Sequence, residues 1–302
     1  MQPAVRLADR PSTPALRDVL TLLKPLTWFP PMWAFLCGAV SAPGAVGRHW
    51  ELLILGALLC GPFVCGASQA ANDWYDRHVD ALNEPNRPIP SGRIPGRWGL
   101  VIALIGSGAS LALAAAMGGL LVLVATLAAL ACGWAYSMPP IRLKMSGLWG
   151  PGVTGLAYES LAWFTGAALL SGGGWPGWPT TILALVYGLG AHGIMTLNDF
   201  KAVEGDREMG IRSLPVVLGV DRAARVACVV MVVPQVAVIA LLAAWGHALP
   251  ATLVAAALAA QLGLMPRLLR DPLGQTPWYN ATGTSLSVLG MMAAALGLGG
   301  VL

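Results

Sequence analysis

Charge is what this chain has least of. Aspartate, glutamate, lysine and arginine make up 11% of its 302 residues, against about 25% in an ordinary soluble domain. With 56% of positions hydrophobic and a mean hydropathy of +0.68, the composition excludes a typical water-soluble globule and indicates a membrane protein. The five cysteines, Cys37, Cys60, Cys65, Cys132 and Cys228, lie in apolar segments without a CxxC pair. They read as small buried hydrophobes, not as a metal or disulfide framework. Only four histidines occur, and no Ser/His/Asp or Cys/His nucleophile arrangement stands out. Length alone would suggest two domains, but a polytopic bundle is normally one unit. The first 24 residues carry Arg6, Arg10, Arg17 and Lys24 and lack a short apolar core followed by a cleavage site. Residues 1–23 therefore read as a flexible cytoplasmic tail, and 24–302 as one transmembrane domain.

What is present is a set of long apolar runs. A span needs about 20 mostly apolar residues, and nine stretches qualify: 25–41, 52–72, 98–117, 119–137, 151–170, 179–198, 223–245, 250–266 and 282–301. The third and fourth meet at a Gly-Gly pair, yet their combined length of about 40 residues requires two crossings. The expectation is an all-α bundle of nine transmembrane helices.

The placement of lysine and arginine orients that bundle. With the N-terminus inside, the tail holds four, the 73–97 loop four (Arg77, Arg87, Arg93, Arg97) and the 138–148 turn two (Arg142, Lys144). The 199–225 segment adds five (Lys201, Arg207, Arg212, Arg222, Arg225) and the 267–272 loop two (Arg267, Arg270). Seventeen of eighteen thus fall inside and only Arg48 outside, which puts the N-terminus in the cytoplasm and the C-terminus in the periplasm. The outer loops are short and nearly uncharged, so the chemistry is expected on the cytoplasmic side. Trp50, Trp98, Trp149, Trp175 and Trp178 fall near helix ends, as an interfacial belt does. His49 and His247 read as outer-surface residues.

The charge that does occur is clustered. "ANDWYDRHVDALNEPNRPIPSG" leaves the second span, and "LNDFKAVEGDREMGIRSLPVVLG" leaves the sixth. Each runs Asn-Asp, further carboxylates with an arginine, then a Pro/Ser/Gly turn, which suggests two related halves facing one another. At 100° per residue, Asn72, Asp73, Asp76 and Asp80 fall at about 0°, 100°, 40° and 80°, one face if the helix continues past the membrane surface. Asp199 and Asp206 fall within about 20° of each other. Glu204 lies off that face and needs a bend to join.

Carboxylates about 4 Å apart repel by roughly 4 kcal/mol at an effective dielectric of 20, so such clusters call for a cation. Oxygen ligands without a His/Cys set suit Mg²⁺, which shares its shell with water and substrate phosphate. Two Asp clusters with Lys and Arg nearby describe a site for a diphosphate bridged by Mg²⁺, two ions being the natural number. At the mouth of an apolar bundle the diphosphate implies a lipid tail, and prenyl diphosphates fit.

Here the sequence resembles the UbiA family of intramembrane prenyltransferases. Its N-D-x-x-D-x-x-x-D pattern matches Asn72, Asp73, Asp76 and Asp80, and its second acidic motif matches Asp199 and Asp206 with Glu204 between. "LLKPLTWFPPMWAF", "AYSMPPIRLK" and "NDFKAVEGDREMGIRSLPV" look like the branch of that family that makes chlorophylls and bacteriochlorophylls. The resemblance implies a UbiA-like bundle with a cytoplasmic cap from loops 2–3 and 6–7, in a bacterial inner or intracytoplasmic membrane. It also implies transfer of a geranylgeranyl or phytyl group from its diphosphate to the propionate of bacteriochlorophyllide a or chlorophyllide a. Membrane lipid and pigment-protein assembly partners would accompany the substrates, and nucleic acid would not.

On that reading Asp73, Asp76, Asp80, Asp199, Glu204 and Asp206 hold metal. Asn72, Lys24, Arg77, Arg142, Lys144, Asn198, Lys201 and Arg207 meet the diphosphate, and Tyr136 lines the reaction chamber. Glu159, the carboxylate in mid-span, and His192 are candidates for pigment contact, although a buried hydrogen bond explains Glu159 equally well and a hydrogen-bonded packing role explains His192 better. An aromatic quinone precursor as acceptor, or a non-enzymatic tetrapyrrole carrier, are the competing readings. A transporter fits less well, because its coupling carboxylates would lie near mid-membrane.

Overall fold

The computed structural model describes residues 13–43 and 49–302; Arg6, Arg10 and Arg48, which entered the orientation argument, lie outside them. Among the described residues the chain is helical, without a β-strand beyond one isolated bridge. In chain order the helices are α1 (Leu16–Leu23), α2 (Phe29–Ser41), α3 (Trp50–Asn83), α4 (Trp98–Met117) and α5 (Leu120–Ser137). They continue as α6 (149–170), α7 (Trp178–Glu208), α8 (Leu214–Leu218), α9 (Val220–Ala244), α10 (Ala248–Arg270) and α11 (Pro272–Leu298).

Seven of these, α3, α4, α5, α7, α9, α10 and α11, are long and apolar enough to cross a membrane. The first and fifth expected spans are helical but fall outside that set. In the first, Pro25–Trp28 forms a 3₁₀ turn, so the α-helix proper has only 13 residues. In the fifth, the Gly-rich start and the Tyr158-Glu159-Ser160 run dilute the apolar character. The Gly-Gly pair does divide the third and fourth expected spans, α4 from α5. Gly118 and Gly119 have φ of 86° and 94°, backbone that residues with a Cβ rarely adopt.

Large apolar side chains cover the outside of the bundle, among them Ile105, Leu120, Leu189, Val233 and Leu289. In water such a surface would be an association site; against lipid it is ordinary. The chain is a multi-pass membrane protein. Trp50, Trp149, Trp175 and Trp178 are exposed at helix starts or just before them, as an interfacial belt requires. All five cysteines are free, and all but Cys132 are buried.

Inside, small residues let helices approach closely, the usual device where lipid removes the hydrophobic drive. A Cβ on Gly38 of α2 would overlap the carbonyl oxygen of Trp163 in α6, and one on Gly166 of α6 would overlap that of Phe35. Two stretches widen into π-helix, Leu59–Cys65 in α3 and Leu156–Leu161 in α6. Such bulges are often found at functional sites.

The expected flexible tail differs in its last third. Leu16–Leu23 is helix α1, with Leu22 and Asp18 buried, packed with Ile94, Ala70 and Ala71 in one apolar cluster. The loops near the acidic motifs are also tied together. Arg212 N–H donates to Met145 O at 3.0 Å and Gly147 N–H to Arg212 O at 2.8 Å, joining the segment after α7 to the turn after α5. The loop after α7 meets the end of α3 where Asn83 Nδ2 lies 3.5 Å from Met209 Sδ.

Candidate active site

Helix α3 does not stop where its apolar run ends but continues to Asn83, carrying the first acidic motif beyond the span. Helix α7 does the same differently. It tightens to 3₁₀ at Asp199–Ala202, then resumes as α-helix over Val203–Glu208. The two extensions open onto one cavity of about 620 Å³, within the range of small-molecule sites.

Asn72, Asp76 and Asp80 line this cavity from α3, and Asn198, Asp199 and Asp206 from α7. Tyr136 of α5, Arg142 and Lys144 of the following turn, and Lys201 complete the expected residues on its wall. Residues 126 positions apart in sequence, Asn72 and Asn198, thus line one cavity, as the internal echo suggested.

The first motif is crowded with cations. Lys144 Nζ donates to Asp76 Oδ1, and Arg142 Nη2 stands 3.5 Å from the same oxygen. Asn72 Nδ2 bridges Asp76 Oδ2 at 3.1 Å and Ser137 Oγ at 3.2 Å. Burial pushes the Lys144 ammonium below its ordinary pKa, and the Asp76 carboxylate beside it partly opposes that shift. Arg142 holds this place with φ of 39°, a left-handed conformation that costs a non-glycine residue about 1–3 kcal/mol.

Asp73 is turned away from the cavity wall and is 1% exposed. Lys24 Nζ donates to its Oδ1 at 2.7 Å, and Arg87 Nη1 approaches the same oxygen at 3.5 Å. Its other oxygen, Oδ2, is buried without a hydrogen-bond partner. Lys24, like Arg142, has a positive φ, 48°. Arg87 also donates to Asp80 Oδ2 at 2.9 Å and grips Glu84 with two bonds of 2.7 and 2.6 Å. Burial lowers the pKa of that guanidinium, but Glu84, Asp73 and Asp80 together outweigh it and raise the net value.

Arg87 is the residue that sequence reasoning missed; it counted only toward orientation. Its position seven residues beyond Asp80 was a usable signal, because a tight turn there returns it to the motif. Tyr158 was also missed. It lines the cavity, and its hydroxyl accepts from Cys65 Sγ at 3.3 Å and Gln69 Nε2 at 3.4 Å.

The second motif has no such partners. Among the described residues no ion pair involves Asp199 or Asp206, although both face the cavity. Nor do three or more Asp, Glu, His or Cys side chains converge as a ready-made metal centre. Carboxylates that face a cavity without an ion pair, with Asp76 and Asp80 on the same wall, fit a hard cation that shares its shell with a ligand's phosphates.

Several expected site residues stand elsewhere. Glu204 and Arg207 are exposed and off the cavity wall. Arg77 stacks on Trp74 at 4.1 Å and donates to its carbonyl. His192 lies within hydrogen-bond reach of Leu148 O at 3.1 Å and Thr196 Oγ1 at 3.4 Å, the pattern of a packing histidine. Glu159 is buried in the π-helical stretch of α6, with Oε2 unpartnered.

A narrower apolar pocket shares Ala157 and Tyr158 with the main cavity. It continues between the two π-helical stretches, past Leu59, Cys60, Val64 and Leu161, to Thr126 and Thr165. Both threonine hydroxyls bond their own helices, to Val122 O and Leu161 O, which leaves the pocket without a free hydroxyl donor from either.

Known proteins are similar to this chain in sequence and in fold. The bacteriochlorophyll synthase 33 kDa chain of Cereibacter sphaeroides is 56% identical over 99% of this chain and 98% of its own length. The chloroplastic chlorophyll synthase of Arabidopsis thaliana is 35% identical over 92% of this chain and 73% of its own. A solved digeranylgeranylglyceryl phosphate synthase superposes with a TM-score of 0.72 at 20% identity, covering 95% of this chain and 98% of that one. A UbiA homologue from Archaeoglobus fulgidus bound to GPP and Mg²⁺ does so at 0.64 and 21%, covering 94% and 99%. Residues 24–297 match the description of the UbiA prenyltransferase family, and the chain belongs to that family.

Proposed function

We propose that this membrane enzyme esterifies the propionate of bacteriochlorophyllide a, or of chlorophyllide a, with a geranylgeranyl or phytyl group drawn from its diphosphate. The carrying observation is the meeting of both acidic motifs with Lys144 and Arg142 on one cavity wall, in a chain 56% identical to a bacteriochlorophyll synthase chain.

In this reaction the bond between the allylic carbon and the diphosphate oxygen breaks, and pyrophosphate leaves with the electron pair. The new bond joins that carbon to a propionate oxygen, so no proton need be removed from an acceptor ionised near neutral pH. Asp76, Asp80, Asp199 and Asp206, with Asp73 behind them, would hold Mg²⁺, which supplies charge neutralisation for the departing diphosphate.

The remaining work belongs to the chain's own groups. Lys144 and Arg142 would exchange Asp76 for phosphate oxygens, and charge-assisted bonds of this kind strengthen as charge develops on the leaving group. The apolar end of the main cavity, at Ala157 and Tyr158, would receive the start of the prenyl tail and exclude water from the reactive carbon. Tyr136 would present its ring to the developing cation. Holding the propionate in line with the carbon is then mainly a matter of position.

The lysine and arginine count supports a cytoplasmic N-terminus and active site, in a bacterial inner or intracytoplasmic membrane. Pigment-binding proteins are the natural recipients of an insoluble product.

The test is turnover by purified protein with Mg²⁺, geranylgeranyl diphosphate and bacteriochlorophyllide a. Esterified pigment and pyrophosphate are expected in equal amounts from the native chain and neither from Asp76→Ala. Equal turnover by Asp76→Ala would overturn the reading.

A further inference from the structure

Asp18, in the first turn of α1, is 4% exposed and stands off the cavity wall. A carboxylate that buried survives as an ion only with a cation beside it. The cation hydrogen-bonded to it is Arg93, in the loop between α3 and α4, whose Nη1 donates to Asp18 Oδ1 at 2.6 Å; the solvent-exposed Arg17 stands farther off, its Nε 3.8 Å from Oδ2. Arg93 also binds its own loop, donating from Nη2 to Asn86 O at 2.6 Å and from Nε to Ser91 Oγ at 3.1 Å.

Both partners lead to the same oxygen of the first acidic motif. Six residues beyond Asp18, Lys24 caps the end of α1 and reaches Asp73 Oδ1 at 2.7 Å. Asn86 adjoins Arg87, which reaches that oxygen at 3.5 Å and Asp80 at 2.9 Å. A closed ring results: Asp18, α1, Lys24, Asp73, Arg87, the loop, Arg93 and back to Asp18. Leu22 and Ile94 pack the same two segments together, but apolar contact is non-directional. The charge-assisted bond gives the junction its direction.

We propose that Asp18 and Arg93 are a positioning pair that holds two cationic arms in register with the first acidic motif, Lys24 behind the cavity wall on Asp73 and Arg87 on the wall itself. This rests on the prenyl-transfer reading above. Opening the junction loosens both arms from the carboxylates whose charge they counter, and it moves Arg87 from the cavity wall where it can pass to a phosphate. The pair touches neither substrate nor reacting atoms, so its loss weakens diphosphate binding and leaves the chemical step nearly intact.

The experiment uses the full chain in detergent with Mg²⁺, bacteriochlorophyllide a and geranylgeranyl diphosphate, comparing Asp18→Asn, Arg93→Gln, the double variant and Arg93→Lys. The single variants are expected to raise KM for geranylgeranyl diphosphate about tenfold with kcat within about twofold. The double variant should match the singles, because the pair acts as one unit. Arg93→Lys keeps the charge on Asp18 but loses the fork to the loop, and should raise KM about threefold even if the neutral variants fail to fold. A fall in kcat or in folded protein with KM unchanged would mark a merely structural pair and overturn the proposal. So would single effects that multiply in the double variant. Native protein without any turnover would instead overturn the prenyl-transfer reading itself.

Discussion

Lys144 donates a hydrogen bond to Asp76 across 68 residues of sequence, from the turn after α5 to the cavity face of α3. The bond places a cation where the leaving group of the proposed reaction would rest. Lys144→Met is expected to lower kcat/KM for geranylgeranyl diphosphate about 10²-fold or more, the usual loss for a group that stabilises leaving charge. Lys144→Arg should recover part of it. Steady-state kinetics with a thermal-unfolding control would show this; undiminished turnover by Lys144→Met would contradict it.

Among the described residues no ion pair involves Asp199 or Asp206 on the cavity wall, so their charge leaves room for another cation. Asp199→Asn and Asp206→Asn are expected to keep the fold, raise the Mg²⁺ concentration at half-maximal rate and cut turnover about 10²-fold. Chelation with EDTA should abolish turnover of the native chain, and added Mg²⁺ should restore it. A Mg²⁺ titration unchanged in both variants would remove these residues from metal binding.

Much of this site was legible because helical geometry is regular. Once α3 continued past its apolar run, the wheel put Asn72, Asp76 and Asp80 on one face, and they share one wall. The same wheel could not show that Asp73 turns inward. That depends on Lys24 and Arg87, which arrive from a left-handed helix end and an irregular loop without periodicity. The second motif followed the wheel for Asp199 and Asp206 despite the 3₁₀ turn between them, whereas Glu204 ended in solvent. The division at Gly118-Gly119 was readable from length. The 3₁₀ turn at Pro25–Trp28 and the two π-helical stretches were not, since they answer to tertiary packing rather than local composition.

Glu204, exposed and off the cavity wall, provides a contrast within the second motif. Glu204→Gln is expected to keep kcat/KM within about threefold, as isolated surface changes usually do. A loss as large as that of Asp199→Asn would show that the last turns of α7 close inward during turnover.

The close approach of α2 and α6 depends on Gly38 and Gly166, whose missing side chains admit the opposing carbonyls. Gly38→Leu and Gly166→Leu must push the helices apart and are expected to cost more than the ~1–3 kcal/mol of ordinary overpacking, seen as loss of folded protein in detergent. By contrast Gln235→Leu, which breaks the 2.7 Å bond from Gln235 Nε2 to Gln261 Oε1 between α9 and α10, should cost only about 0.6–1.7 kcal/mol, typical of such bonds in membranes. Equal thermal shifts for the glycine and glutamine variants would contradict this account of the core.

The central claim is the identity of the acceptor, and a competition tests it directly. Purified protein receives Mg²⁺, geranylgeranyl diphosphate, and bacteriochlorophyllide a together with an aromatic quinone precursor in equal concentration. The account predicts geranylgeranyl-esterified pigment with matching pyrophosphate release and no prenylated aromatic product. Prenylated aromatic product with the pigment left as free acid would contradict it.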